Sequence, residues 1–180
     1  KNEKEYCQQE IVDKYGFTKV KIIVEGGKER YHSVANGIRA IEWKCDYIFI
    51  HDGARPFINE EILERAYEQV QKSKACVVGM PVKDTVKIAD TAGFVESTPN
   101  RAKVWQIQTP QVFEYKLIRG AYERLLEEEV QLLSSGNVIT DDAMVVEYFT
   151  KLPVKLVEGS YQNIKITTPE DLEIAGVFLR

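Results

Sequence analysis

The sequence predicts an α/β protein, a doubly wound and mostly parallel sheet with helices between its strands. Three observations predict it. Residues 46–50 (DYIFI) and 75–80 (ACVVGM) are nearly continuous in apolar character, as strands buried in a parallel sheet should be. The segments between and after them repeat apolar residues every three or four positions, the mark of an amphipathic helix. The two kinds of segment alternate at the spacing of strand–helix–strand units.

Taken in order, residues 19–24 (KVKIIV) read as a first strand that ends at Gly26-Gly27. Residues 32–43 form a helix with Val34, Ile38 and Ile41 on one face, and 46–50 form the second strand. Asn59 caps a helix through about 73, with Ile62, Ala66 and Val70 in step and two glutamates in the first turn. Residues 75–80 are the third strand. The stretch 81–113 has a different texture: two short extended segments around Asp90-Thr91-Ala92-Gly93, a hairpin-like arm. A long helix over roughly 115–134 carries Leu117, Ile118, Ala121, Leu125 and Leu132. A further helix follows Thr140-Asp141-Asp142, short strands fall near 154–157 and 163–167, and a last helix opens with Thr168-Pro169-Glu170-Asp171. That opening places a cap, a proline at the first helical position and then acids. The chain reads as a single domain over 1–180, with the arm at about 82–108.

The chain has 180 residues, 44% hydrophobic and 29% charged, the composition of a soluble globular domain. Its net charge of −4 argues against a nucleic-acid partner, because phosphate-backbone binding wants a basic excess. Cys7, Cys45 and Cys76 are far apart and odd in number, with neither a disulfide framework nor zinc spacing, so a reduced, cytoplasmic setting is expected. Two histidines, His32 and His51, exclude a histidine-rich metal site. Apolar runs such as Tyr47-Ile48-Phe49-Ile50 are far too short to cross a bilayer, so no membrane partner is expected. Lys1 is not a natural start, which leaves targeting open.

The sharpest local motif is His51-Asp52-Gly53-Ala54-Arg55-Pro56, just past the carboxyl end of a strand, where open α/β sheets place their ligands. Asp52 there can hold a magnesium ion, and Arg55 offers a planar fork for a phosphate. An aspartate capping the next turn and an arginine in a surface pair fit the same spacing. Glycines 26 and 27 let the backbone approach a base or a phosphate, and Ser33 lies at a helix start; a plain strand-to-helix turn is the alternative. Thr85, Arg101 and Thr109 flank the arm with hydroxyls and a cation that could grip a phosphate, or they decorate a solvated hairpin. Lys165 and Thr167 fall on one side of an extended segment before a helix N-terminus, an anion site or an ordinary solvent-facing edge. His51 is read as structural, a hydrogen-bonding residue of its loop, since phosphoryl transfer to an ionised phosphate needs no general base.

Together the ordered motifs GGKERYHSV, HDGARPF, PVKDTVK, R-x₃-W-x₃-TPQ-x-F, ITDDA and LVEGSYQNIKITTPEDL resemble the 2-C-methyl-D-erythritol 4-phosphate cytidylyltransferases of the non-mevalonate isoprenoid pathway. The resemblance runs from about residue 19 to the end. It implies a Rossmann-like sheet of the nucleotide-diphospho-sugar transferase type with a protruding β-arm. It also implies a magnesium-dependent reaction of CTP with methylerythritol phosphate that yields the CDP-sugar alcohol and pyrophosphate. The resemblance places the metal-binding and substrate-positioning aspartate on Asp52, its neighbouring arginine on Arg55 and a catalytic lysine on Lys165. Base recognition falls on Gly26, Gly27 and Ser33, with Lys28 standing where the family has an acid. Gly53, Thr85, Arg101, Thr109, Thr140 and Thr167 complete the substrate-binding set. The family's arm reaches across a homodimer, so Thr85 and Arg101 would serve the second copy's site.

One feature of the family is not in these 180 residues: an opening glycine-rich loop of the type A-A-G-x-G-x-R-M with a Pro-Lys-Gln segment, which wraps the CTP phosphates. The 180 residues by themselves are therefore expected to be nearly inactive. Two other readings stay open at this level. One is a ribitol-5-phosphate cytidylyltransferase, and the other is a non-catalytic relative acting as a binding or dimerisation module.

Overall fold

The computed structural model describes residues 3–136 and 138–180. In chain order the elements are α1 (Lys4–Tyr6), a π-helical segment (Cys7–Asp13), α2 (Arg30–Arg39), β1 (Tyr47–Ile50), α3 (Glu60–Ser73), β2 (Ala75–Pro81), β3 (Ile88–Ala89), β4 (Val95–Ser97), a 3₁₀ turn (Arg101–Lys103), β5 (Trp105–Glu114), α4 (Tyr115–Ser134), α5 (Asp142–Thr150), β6 (Lys155–Glu158) and α6 (Pro169–Phe178). They group into two units. One is Lys1–Asp46 with Tyr115–Lys151, the other Tyr47–Glu114 with Leu152–Arg180.

The first unit is helical. Tyr31, Ala35 and Ile38 of α2 are buried, as are Ile118, Ala121, Tyr122 and Leu125 of α4 and Val145, Val146 and Phe149 of α5. Their spacing of three and four residues is the apolar stripe the sequence shows. Asp142 is fully buried here, and a buried carboxylate must be paired. Arg30 grips it bidentately at 2.8 and 2.7 Å while the Tyr122 hydroxyl donates to it.

The second unit carries the sheet, in the order β1-β5-β2-β6. β2 and β6 are parallel, whereas β5 runs antiparallel to both β1 and β2. Three of the four strands thus point the same way, and β5 is the reversed one. One layer, α3, lays Ile62, Ala66 and Val70 against Cys76, Val78, Val112 and Val157 to make the core. Burying each of these larger aliphatic side chains contributes roughly 1.5–3 kcal/mol. Asn59 caps α3, its side chain accepting the Ile62 N–H at 3.0 Å, and Lys74 ends the helix in a left-handed conformation.

Four expectations need correction. Residues 19–24 form no strand among the described residues; Val20 and Ile22 are exposed, and a strand has no stability without a neighbour to complete its ladder. The stretch assigned wholly to an arm contains the long strand β5, so the last residues of the predicted arm, 105–108, belong to the main sheet. Pro110 disguises β5 in the sequence, because proline cannot donate to a ladder. It sits where pairing with β2 jumps from Val77↔Gln111 to Gly79↔Ile107 and where pairing with β1 has ended at Ile50↔Gln111. β1 is half-buried rather than fully buried, as befits the end position in the described sheet. Finally, 163–167 is extended but unladdered, tied by one backbone bond from Ile166 N–H to the Ala54 carbonyl at 2.8 Å. Between β2 and β5 the arm itself is a hairpin, β3 against β4, with Ile88↔Ser97 and Ala89↔Val95 paired.

Candidate active site

β1 delivers the chain to a tight loop, His51 to Arg55, closed by the Arg55 N–H donating to the Asp52 carbonyl at 3.0 Å. The His51 ring staples the same loop. Its Nε2 lies 3.0 Å from the Arg55 carbonyl and its Nδ1 3.0 Å from the Thr109 hydroxyl of β5. A carbonyl only accepts, so in the neutral imidazole the hydrogen sits on Nε2, and Nδ1 accepts from Thr109. The Thr109 oxygen in turn accepts the Asp52 N–H at 3.0 Å. Backbone and ring together fix where the Asp52 side chain leaves the loop. The structural role read for His51 from the sequence holds in this geometry.

The Asp52 carboxylate is mostly buried and meets two cations. Lys165 Nζ lies 3.1 Å from Oδ2, and Arg55 Nε lies 3.6 Å from the same oxygen. The two cations differ in kind. The Arg55 side chain is 12% exposed and donates to the Asn163 carbonyl at 2.8 Å, while the Lys165 side chain is 45% exposed. Burial lowers the Arg55 pKa and the Asp52 charge offsets this, but a guanidinium that starts far above neutrality stays charged. Arg55 is therefore the more buried and tightly held of the two cations, and Lys165 the more exposed one.

Of the residues singled out in the sequence, Asp52, Gly53, Arg55, Thr109 and Lys165 come together here. Thr109 contributes its hydroxyl to the Asp52–His51 network. Thr167 follows two residues after Lys165, yet its N–H and hydroxyl both reach Asp171 Oδ2, at 2.9 and 3.1 Å. The α6 N-terminus expected to receive an anion thus already holds the Asp171 carboxylate, whose pKa these donors lower. Thr85 is exposed on the arm, and Arg101 at the arm's return donates to the Lys83 carbonyl at 2.9 Å. Neither makes a hydrogen bond or ion pair with the Asp52 cluster among the contacts described.

Gly26, Gly27, Ser33 and Thr140 belong to the helical unit. There the Gly27 N–H donates to Ser33 Oγ at 3.0 Å, and a side chain on Gly27 would collide with His32. That close approach, rather than an unusual backbone angle, is what glycine supplies. Thr140 is exposed, with its hydroxyl 3.8 Å from Met144 Sδ.

Sequence reasoning passed over Asn163 and Gln108, both buried and polar. Each lay inside a quoted motif, but a lone amide carries no charge pattern to draw attention.

Against known proteins, residues 2–180 match the model of the IspD family, 2-C-methyl-D-erythritol 4-phosphate cytidylyltransferase. A relative of that name from Lachnoclostridium phytofermentans is 49% identical over 175 residues, covering 97% of this chain and 72% of the relative. The chain belongs to the 2-C-methyl-D-erythritol 4-phosphate cytidylyltransferase family. A second relative of the same name, from Caldanaerobacter subterraneus subsp. tengcongensis, is also 49% identical, covering 99% of this chain and 75% of its own length. The crystal structure of 4-diphosphocytidyl-2C-methyl-D-erythritol synthase from Anaerococcus prevotii superposes with a TM-score of 0.84 at 37% identity, over 99% of this chain and 75% of that one. The cytidylyltransferase from Thermus thermophilus gives 0.72 at 30% identity, over 91% and 79%. The family's nucleotidyltransferase fold is thus the fold of this chain, and its members are enzymes.

Proposed function

We propose that this chain transfers a cytidylyl group from CTP to 2-C-methyl-D-erythritol 4-phosphate, giving 4-diphosphocytidyl-2-C-methyl-D-erythritol and pyrophosphate for isoprenoid precursor synthesis. The observation that carries this reading is a mostly buried carboxylate, Asp52, set between a more buried cation and a more exposed one at the end of β1, in a chain of this family.

The acceptor's phosphate oxygen attacks the α-phosphorus of CTP in line, one P–O bond forming as the bond to pyrophosphate breaks. The nucleophile is already ionised, so no residue need remove a proton, and the work left is positioning and charge neutralisation. Lys165 supplies the exposed positive charge that meets the phosphates. Arg55 holds Asp52 in place and keeps the local field positive. Thr109 and His51 lock the backbone of Asp52 so that its carboxylate does not wander. Gly26, Gly27 and Ser33 are proposed to read the base, and Gly53, Thr85, Arg101, Thr140 and Thr167 to line the substrate's path.

The donor set fits magnesium. Among the described residues no group of three or more His, Cys, Asp or Glu side chains could cage a metal by itself. Magnesium uses one or two carboxylates and completes its shell with substrate phosphates and water, so Asp52 alone suffices as the protein ligand. The ion would neutralise charge on the phosphates.

The arm supports a homodimer. Its tip exposes Ile88, Phe94 and Val95, with Phe94 73% exposed, an apolar cluster suited to a second copy. Through it Thr85 and Arg101 are proposed to reach the other copy's site. No described helix is long and apolar enough to cross a membrane, and a cytoplasmic enzyme that binds no nucleic acid is the reading we adopt.

The test is product analysis with CTP and each acceptor separately, with and without magnesium, on these 180 residues preceded by the family's opening glycine-rich loop. Metal-dependent pyrophosphate release with methylerythritol phosphate, and little with ribitol 5-phosphate, is expected. A strong preference for ribitol 5-phosphate, or no transfer to either, would overturn the proposal.

A further inference from the structure

We infer that Asn163 is a positioning residue for cytidylyl transfer, the buried junction that holds Arg55, Thr109 and Lys165 in one arrangement. This rests on the proposed function for its kinetic consequences, though not for its structural one.

Asn163 is fully buried and touches three parts of the site. Its main-chain carbonyl accepts from Arg55 Nη1 at 2.8 Å. Its Nδ2 donates to the Thr109 carbonyl at 2.9 Å and to Gln108 Oε1 at 3.3 Å. Two residues further along the same segment stands Lys165, whose ammonium lies 3.1 Å from Asp52. Turning the amide over would set its oxygen against two other oxygens, so the orientation is determined by its partners.

The reason such a junction is needed lies in the backbone. Residues 163–167 have no sheet ladder to fix them. Besides the local bonds Asn163 N–H to Ser160 and Ile164 N–H to Gln162, among the described residues a single backbone bond, Ile166 to Ala54, ties them to the rest of the unit. The remaining restraint comes from side chains. Gln108 donates to the Ser160 carbonyl at 2.8 Å while accepting from Asn163, so the pair pins the segment at two points, 160 and 163. Without the pin, Lys165 hangs on a segment free to drift, and the Asn163 main-chain carbonyl that aims the Arg55 guanidinium drifts with it. A misplacement of about 1 Å at a reacting centre costs on the order of 10²-fold in rate.

The experiment compares Asn163→Ala and Asn163→Ser with the wild type, all in the protein that carries the glycine-rich loop, in three measurements: kcat and KM for both substrates, hydrogen exchange, and thermal unfolding. Expected are a fall in kcat of about 10²-fold for Asn163→Ala, a KM for CTP within about threefold of wild type, and partial recovery in Asn163→Ser, whose hydroxyl can still donate. Faster exchange at 163–166 and in the His51–Arg55 loop should accompany it, while α3 and β2 stay protected. Should the Asn163 variants not fold, Gln108→Ala carries the same test, because it removes the other half of the pin. Folded variants with kcat within threefold of wild type, or with unchanged exchange at 163–166, overturn the inference. If the wild type transfers no cytidylyl group, the functional proposal has failed, and the exchange result decides the positioning role alone.

Discussion

Lys165 Nζ lies 3.1 Å from Asp52 Oδ2, but only the lysine end of this ion pair is open to solvent. The two partners therefore carry unequal weights in stability and in function. A pair with one exposed long side chain is screened by salt and contributes about 0–1 kcal/mol. Lys165→Ala should accordingly change the unfolding free energy by less than about 1 kcal/mol while lowering kcat by on the order of 10²-fold. Denaturant titration and steady-state kinetics on the same preparation check this. A stability loss that accounts for the activity loss would show the lysine to be structural only.

Asp52 behaves in the opposite way. Asp52→Asn keeps the shape but removes the charge facing the nearly buried Arg55, so both fold and chemistry suffer. The expected cost is roughly 1–3 kcal/mol in stability, from a buried charged group left without its partner. Turnover should fall by 10²-fold or more, of the order seen when a preorganised charge-stabilising group is removed. Manganese binding in the presence of CTP, followed by electron paramagnetic resonance, should weaken in parallel. Undiminished manganese binding would remove Asp52 from the metal site.

The α3 cap offers a test of the scaffold apart from the chemistry. Asn59→Ala removes the acceptor for the Ile62 N–H and should cost about 1 kcal/mol, whereas Asn59→Asp should cost little. For a chain of this size that is a shift in Tm of about 2–4 °C. Calorimetry on the two variants distinguishes loss of the cap from loss of side-chain bulk.

Alkaline stability reports on the helical unit. Tyr31 donates to the Glu129 carboxylate at 2.6 Å, and burial with that carboxylate pushes the phenol up to about 12. The folded state therefore favours the neutral phenol. Its contribution is fully present below the ordinary tyrosine value near 10 and is lost as pH rises from there through about 12. The stability gap between wild type and Tyr31→Phe should be constant up to about pH 10 and narrow above it. Urea denaturation at pH 8, 10 and 11.5 measures it, and a gap that stays constant would mean the hydroxyl is not so held.

Much of the molecule was legible before any coordinates. The α3 stripe of Ile62, Ala66 and Val70, the Asn59 cap and the Thr168-Pro169 opening of α6 are set by neighbours within one helical turn, so periodicity and capping rules suffice to read them. The HDGAR motif was found because its residue types and its place after an apolar strand are both local facts. The 163–167 segment reads as a strand in the sequence because alternation looks alike whether or not a ladder exists, and β5 reads as part of the arm because Pro110 is a poor strand residue except at an irregularity.

By itself the sequence determined that residues 60–73, 115–134 and 169–178 become helices and that residues 75–80 form a buried strand, and it marked Asp52, Arg55 and Lys165 as candidate site residues. What only the tertiary structure decided is how those groups are used. Arg55 turns inward to Asn163, Lys165 stays open, Thr109 locks the Asp52 backbone and Thr167 is taken up by the α6 cap. The partners in these assignments lie from 4 positions away (Thr167 and Asp171) to 113 (Lys165 and Asp52, 165 − 52), and of these only the Thr167–Asp171 contact is local. A hydrogen bond is decided by which donor and acceptor meet in space, and a linear order of residues carries that information only after the chain has folded.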